Sequence, residues 1–489
     1  MTYPSTDALE LRARRVALEE KFIIDFPPEV FAEINALKQF PVPADKSIKD
    51  LRSLAWSSID NAQSRDLDQV EWAEKLENGD IHILVGIADV DHLVAKNSAC
   101  DKHARANAIT LYTGVKTFPM LPEELSTDLT SLGAGAERSA IVIDFIVCES
   151  GDVRGENVYP ALIHNKAKLS YDQVGVWLQG KTAAPSENCP EIIISQLRLQ
   201  NEASERLTHF RQEQGALTLG GVEVVPLIVE KEIHGFAIQE PNPARDVIES
   251  FMVAANVVMA GFLLSKGAFC LRRVVRTPKR WDRIQAIAAE HGETLPTEPD
   301  SKALSEFLAR MKRENLDGFP ELSLAILKSL GPGEYIVENP GSEHEGHFGL
   351  AVHHYTHSTA PNRRYADLVT QRLLKCAIGK QPCVYDQTEL SEIAAHCTER
   401  DQAARHVERL MKKIVAATML RDRLGEIFDG IITGVGPKGT FVRLKTFPAE
   451  GRIVNGAEGL DVGEKVQVRL LGTNPEKGFI DFESRGTRR

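Results

Sequence analysis

Between about residues 49 and 420 the chain alternates short strand-like runs with longer helix-like segments, and from about residue 424 that alternation stops. The alternation restricts the fold sharply, because strands interleaved with helices bury both by packing the helices on a sheet. Residues 81–90, 140–148 and 267–275 are rich in β-branched and apolar side chains and predict strands. Residues 195–214, 244–264, 364–378 and 390–420 have the length and apolar spacing of helices. No composition shift divides this stretch, so it reads as one large α/β unit.

The flanks read differently. Residues 7–22 set Leu9, Leu11, Val16, Leu18 and Phe22 among charges, which predicts an amphipathic helix. A second short helix is predicted over 30–37, and Pro41 and Pro43 mark a linker. These first 48 residues are too few for a sizeable core of their own. At the other end, GEIFDGIITGVGPKGTFVRL is two β-branched runs around a Gly-Pro-Lys-Gly turn, and EKVQVRLL and KGFIDFES add two more strands. Short strands with glycine turns predict a small barrel over 424–484.

The chemistry-bearing residues are concentrated first in SSIDNAQSRDLDQ, which brings Asp60, Asp66 and Asp68 within nine positions, with Gln69 beside them. Carboxylate oxygens are natural ligands for Mg²⁺ or Mn²⁺, and several on one loop can hold such an ion against a phosphate. Spacing alone fits a solvated acidic turn better. An EF-hand is excluded, because the required glycine and terminal glutamate are missing.

The same chain carries HILVGIADVDHLV, then ITLYTGVKTFPMLPEELSTDLTSL, and much later GHFGLAVHHYTHSTAPNRRYADLVTQRLL. These separated blocks, in this order, resemble the RNB catalytic domain of the ribonuclease II and ribonuclease R family through most of residues 50–420. The resemblance implies an α/β RNB catalytic domain at 49–420, between a short helical N-terminal extension at 1–48 and a C-terminal all-β OB-fold barrel at 424–484. It also implies a 3′-to-5′ exoribonuclease that threads single-stranded RNA into a deep channel and releases nucleoside 5′-monophosphates by metal-assisted hydrolysis. Asp60, Asp66 and Asp68 match three of the family's four acidic positions, Asp68 being the one most critical for cleavage. The fourth is Gln69 here, whose carbonyl can ligate a metal but carries no charge. That departure keeps a second reading open, a catalytically impaired RNA-binding or regulatory protein that retains the fold.

In THSTAPNRRYADLVTQRLLK a loop feeds a helix, and Arg363 and Arg364 sit at its start. A helix N-terminus with arginines suits a phosphate, although such a pair can equally cap nearby carbonyls. The resemblance implies that Arg363 holds the scissile phosphate. The usual Ser-Pro-Ile-Arg-Arg is Ala360-Pro361-Asn362-Arg363-Arg364 here, which loses a hydroxyl and an apolar side chain but keeps both arginines. His347, His353, His354 and His357 invite a zinc reading, but no HExxH occurs and the family uses this stretch without zinc.

Residues 268–283 carry six basic residues and one acidic one, which fits either a basic channel wall or a solvated stripe. The resemblance places an aromatic clamp on the RNA 3′ end here, with Phe269 the nearest candidate. It also matches Tyr112 to a tyrosine that stacks on bases and Glu408 to a glutamate that seats the terminal nucleotide. Residues 424–484 are similar to the OB-fold module of the ribosomal small-subunit protein S-one, with Phe428, Phe441 and Arg443 as candidate RNA contacts. The family's usual ribonuclease II has two cold-shock barrels ahead of the catalytic domain; here the preceding residues look helical, and a more open channel entrance is expected.

Composition adds exclusions. A net charge of −11 argues against broad coating of nucleic acid unless positive charge is gathered in one channel. Seven scattered cysteines with no CxxC pair argue against a zinc finger and a disulfide framework. The charged N-terminus has no signal-like segment, and no apolar run looks long enough to cross a bilayer. The expectation is a monomeric cytoplasmic protein that takes Mg²⁺, or Mn²⁺, and single-stranded RNA, with no membrane and no organic cofactor.

Overall fold

The computed structural model describes residues 5–37, 48–220, 223–316, 318–341 and 346–487. The linker reading at Pro41 and Pro43 lies outside these residues. Two helices begin the chain, α1 (Thr6–Glu19) and α2 (Pro28–Leu37). Ser5 caps α1 by accepting from the Asp7 amide, and Leu9, Ala13, Val16 and Ala17 follow at helical spacing as its buried stripe.

The large central unit is built on a seven-stranded sheet. In chain order its first strands are β1 (Lys49–Asp50), β2 (Ser57–Asp60), β3 (Gln69–Lys75) and β4 (Ile81–Ala88). Helix α3 (Ala99–Asn107) and a separate small hairpin, β5 (Leu111–Tyr112) with β6 (Thr117–Phe118), come next. Strands β7 (Glu137–Val147), β8 (Val153–His164) and β9 (Ala167–Ser170) complete the sheet, whose order is β1-β8-β7-β4-β3-β2-β9. Only β1 with β8 and β2 with β9 run parallel. Strand β4 sits centrally, which is why its sequence, IHILVGIA, is nearly continuous apolar rather than alternating.

Helices α4 (Tyr171–Leu178), α5 (Glu191–Glu213) and α6 (Pro243–Ser265) pack on this sheet, with a hairpin of β10 (Glu223–Val229) and β11 (Glu232–Gln239) between the last two. Helix α6 corrects one expectation: it is long and apolar enough, by length and composition, to cross a membrane. Its apolarity has another account, since Phe251, Val258, Met259 and Leu263 are buried in the main core.

Strand β12 (Cys270–Val274) pairs with β13 (Glu334–Glu338), and between them α7 (Trp281–Glu290), α8 (Ser301–Glu314) and α9 (Phe319–Leu330) form a small core of their own around Trp281, Phe307 and Ile326. The undivided α/β reading did not separate this piece. It also changes the meaning of the basic stretch at 268–283. Arg272 is buried against Glu338 at 3.0 Å, Arg273 against Asp401 at 2.9 Å, and Arg276 pairs with Glu334. Arg272 and Arg273 therefore neutralise acids within the fold, whereas Arg276, Lys279, Arg280 and Arg283 remain exposed.

Helices α10 (Tyr365–Gly379) and α11 (Gln387–Leu420) lead to a closed barrel of β14 (Ile427–Gly436), β15 (Gly439–Leu444), β16 (Glu450–Asn455), β17 (Lys465–Asn474) and β18 (Phe479–Thr487), in the order β14-β15-β16-β18-β17. The sequence pattern had shown four of these strands. The fifth, β16, is short and carries Gly451, where a Cβ would lie 2.4 Å from the Ile480 carbonyl oxygen, so β16 can lie against β18 only with glycine there. Phe428 is part of the barrel core.

Candidate active site

The acidic loop is fixed from three sides. Strand β2 ends at Asp60, whose Oδ1 accepts from the Asn61 amide at 2.6 Å and the Ser64 hydroxyl at 2.8 Å. Lys168 on β9 donates to the carbonyls of Ala62 and Ser64, and Arg245 at the start of α6 donates to Asn61 Oδ1 at 3.2 Å. Ser131 bridges the far end, its hydroxyl donating to the Arg65 carbonyl and accepting from the Leu67 amide. The loop is therefore anchored through its backbone, which leaves the side chains of Asp60 and Asp66 half-buried at the surface of the site.

The second half arrives on the loop ahead of α10. Asp367, in the first turn of α10, is fully buried and accepts from the Ala360 amide at 2.8 Å and from Arg364 at 2.8 Å. The Thr110 amide donates to the Arg363 carbonyl, and the Tyr365 amide donates to Ala108. This backbone pairing sets Arg363 beside the segment that continues into Tyr112.

The two halves meet at Asp68, which is 2% exposed. Asn362 donates to its Oδ1 from Nδ2 at 3.0 Å and from its backbone amide at 3.4 Å, and Arg363 donates to its Oδ2 from Nε at 3.2 Å. Asn362 is itself held by the Thr130 hydroxyl, 2.7 Å from its Oδ1. Thr130 closes a π-helical turn, Glu124–Leu129, a distortion often found at functional sites. Arg363 keeps 46% of its side chain exposed, so the guanidinium is anchored at one edge and open at the other.

Burial pushes the Asp68 carboxyl up to about 6 and neighbouring Asp66 adds to the shift, while Arg363 opposes it. Asp66 is also raised, by burial and then by Asp60. Burial works against the charge of Arg363, but Asp68, Tyr112 and Asp367 together outweigh it and the net shift is upward. Burial moves the Tyr112 phenol up to about 12, with Arg363, Asp66, Asp68 and Asp60 all within electrostatic reach. Asp60, Asp66, Asp68, Arg363 and Tyr112 are thus one constellation, drawn from positions three hundred residues apart.

The remaining predicted residues have the following positions. Gln69 begins β3 and is buried beside Asp68 in sequence. Arg364 turns inward to Asp367 and Thr359. Phe269 packs against the main core, and the electrostatic neighbours of Glu408 are Lys412, Arg405, Asp401 and Arg409, all on its own helix. Arg443 pairs with Glu321 across a cleft of about 2410 Å³ between the barrel, the β10–β11 hairpin and α7–α9; none of the acidic constellation lines it. His357 is 2.7 Å from the Tyr335 hydroxyl and His347 caps a short 3₁₀ turn, which accounts for two of the four histidines without zinc.

Two residues were missed. Asn362 stands in the sequence only as a departure from the usual motif, yet it is what clamps Asp68. Glu71, two positions after Gln69 on β3, is 0% exposed and neither carboxylate oxygen has a hydrogen-bond partner. Burial, then Asp60, drives its carboxyl well above the ordinary range. The alternation of a strand offered the signal, since residues two apart share a face.

Among the described residues no three His, Cys, Asp or Glu side chains form a ready-made metal cluster. Mg²⁺ keeps several waters and takes one or two carboxylates plus substrate phosphates. Asp60, Asp66 and Gln69 offer oxygen donors only, the donor chemistry that such an ion prefers.

The chain matches the RNB domain over residues 48–380 and the RNase II-type exonuclease C-terminal S1 domain over residues 426–485. It belongs to the RNB-domain family. It is similar to ribonuclease R 1 of Lactococcus lactis, with 30% identity over 94% of this chain and 59% of that protein. It is also similar to ribonuclease R of Aquifex aeolicus, with 28% identity over 94% of this chain and 68% of that one. Its fold is shared with Mycoplasma genitalium RNase R in complex with ribose methylated single-stranded RNA, at a TM-score of 0.89 and 23% identity, covering 98% of this chain and 78% of that one. The chain spans less than two thirds of the length of the Lactococcus protein.

Proposed function

We propose that the chain is a 3′-to-5′ exoribonuclease that hydrolyses single-stranded RNA to nucleoside 5′-monophosphates, with 49–420 as its catalytic unit, 424–484 as an RNA-binding barrel and 1–48 as a helical extension. The observation that carries this reading is the anchoring of Arg363 on buried Asp68 beside Asp66. A guanidinium held at one edge and open at the other is positioned to grip a phosphate, with little reorganisation when charge develops on it. Mg²⁺ or Mn²⁺ held by Asp60, Asp66, Asp68 and Gln69 would neutralise phosphate charge and make water nucleophilic. Asp68 orients Arg363 and is kept in place by Asn362. Tyr112, 40% exposed, offers a face on which a base near the 3′ end stacks without regard to sequence.

Incubation of 5′-labelled poly(A) with Mg²⁺, with Mn²⁺ and with chelator, beside an Asp68→Asn control, tests the proposal. A metal-dependent ladder that ends in a very short core supports it. No degradation with any metal, with RNA binding retained, overturns it. That outcome would favour the second reading, an RNA-binding protein without hydrolysis, which uncharged Gln69 supports.

A further inference from the structure

Tyr112 stands on a hairpin of two residues per strand, and a two-stranded hairpin that short is marginal by itself. Its place is therefore set by what packs behind it. The apolar stripe of α1, with Leu9, Ala13 and Val16, shares one core with Leu111 of β5 and with Val407 and Met411 of α11. Ile109 and Val115, on either side of Tyr112, pack against the same core. Leu111 and Tyr112 are successive residues of a strand and face opposite ways. Leu111 is 1% exposed in the core shared with α1, and Tyr112 is 40% exposed on the other side. At the hairpin turn, Lys116 lies 3.8 Å from Glu10 of α1.

The same helix holds the barrel. The Arg12 side chain is 15% exposed, and its guanidinium donates to the Glu476 carbonyl from Nε at 3.2 Å and from Nη2 at 2.9 Å. Glu476 lies in the turn between β17 and β18. That turn also rests on α11, where a Cβ at Gly478 would lie 2.9 Å from Lys413 Cβ and 3.1 Å from the Ile414 amide nitrogen. The turn is thus wedged between α1 and α11. Because Arg12 meets a backbone carbonyl, the link depends on where the turn sits and not on its side chains.

We propose that α1 is a strut that positions Tyr112 for the RNA end and, through Arg12, couples that position to the barrel. The inference rests on the stacking reading of Tyr112 above. Arg12 is then a positioning residue: it meets no RNA, yet RNA binding at Tyr112 depends on it.

The test is filter binding of single-stranded poly(A) to the full chain in chelator, across a range of salt. The proteins are wild type, Arg12→Ala, Arg12→Gln, Tyr112→Ala and the Arg12→Ala/Tyr112→Ala double variant. Arg12→Ala should weaken binding by roughly 3–10-fold, within the range for coupled residues, and should cost nothing further once Tyr112 is alanine. Arg12→Gln still offers an amide donor to the Glu476 carbonyl and should recover most of the loss, with the salt dependence of wild type. A direct phosphate contact by Arg12 would behave otherwise. Its loss would add to that of Tyr112→Ala, Arg12→Gln would stay weak, and the slope of log affinity against log salt would flatten by about 0.7. That result overturns the strut. So does a lower melting temperature for Arg12→Ala with RNA affinity unchanged, which would make the contact structural only. Leu9→Val, which removes one methylene from the shared core, takes the place of Arg12→Ala in the cycle if that variant does not fold. Loss at Tyr112 with none at Arg12 overturns the strut and leaves the stacking reading intact, whereas wild-type binding by Tyr112→Ala overturns both.

Discussion

Asn362 donates from Nδ2 to Asp68 Oδ1 at 3.0 Å, joining the loop before α10 to the acidic loop 294 residues away. The same amide accepts from Thr130, so one side chain fixes the buried carboxylate to a third segment. Asn362→Ala removes a donor from a buried carboxylate, and a lost partner of that kind costs about 1–3 kcal/mol. The expected outcome is a stability loss of that size in urea unfolding and a fall in single-turnover RNA cleavage, with RNA affinity little changed. Asn362→Asp should cleave more slowly still, because it sets a second carboxylate against Asp68. Normal cleavage by both variants would remove Asn362 from the site.

Arg363 and Asp68 touch through Nε alone, and this makes Arg363 a poor candidate for replacement by lysine. An ammonium can meet either Asp68 or a phosphate, whereas the guanidinium fork can meet both. Arg363→Lys should therefore lose roughly 10²–10³-fold in the cleavage rate, the scale for one preorganised donor to a developing charge. Single-turnover measurement at saturating RNA checks this. A rate within twofold of wild type would mean that Arg363 only tethers the loop.

Tyr112 separates stacking from hydrogen bonding. If its ring carries a base, Tyr112→Phe should bind single-stranded RNA as wild type does, and Tyr112→Ala should lose roughly 1–3 kcal/mol. Filter binding in chelator, where hydrolysis is stopped, measures it. Equal loss in both variants would assign the role to the hydroxyl.

Much of the fold was legible because its local signals agree with its tertiary setting. Helices α5, α6, α10 and α11 start and stop within a few residues of their predicted limits, and the glycine turns of the barrel mark four of its five strands. Tertiary context hid the rest. Strand β16 is defined by Gly451 fitting under β18, a contact 29 residues away in sequence. The basic stretch looked like a surface because charge in sequence does not reveal partners, yet Glu338 and Asp401 lie 66 and 128 residues beyond the arginines they neutralise. The site followed the same division. Asp60, Asp66, Asp68, Arg363 and Tyr112 are brought together, whereas Asn362 reads in the sequence as a departure from a motif and Glu71 gives no signal of its own.

His103 supplies a prediction about pH that is independent of the acidic site. It is 5% exposed on α3, its ring is 4.3 Å from that of Phe26, and its Nε2 lies 3.1 Å from the Asn107 side-chain nitrogen. Burial lowers its pKa from 6.5 to about 4. Between those values the unfolded chain binds a proton that the folded chain refuses, so stability rises with pH across that window. The contribution is fully present above about pH 6.5 and is lost as pH falls towards 4, at about 1.4 kcal/mol per unit. His103→Gln keeps an acceptor for Asn107 but cannot titrate. Urea unfolding from pH 7 to pH 4.5 should show a shallower loss of stability for this variant than for wild type, with the two curves closest at the acid end. Parallel curves would mean that His103 is protonated in the fold, with its charge met by water at the α3 surface.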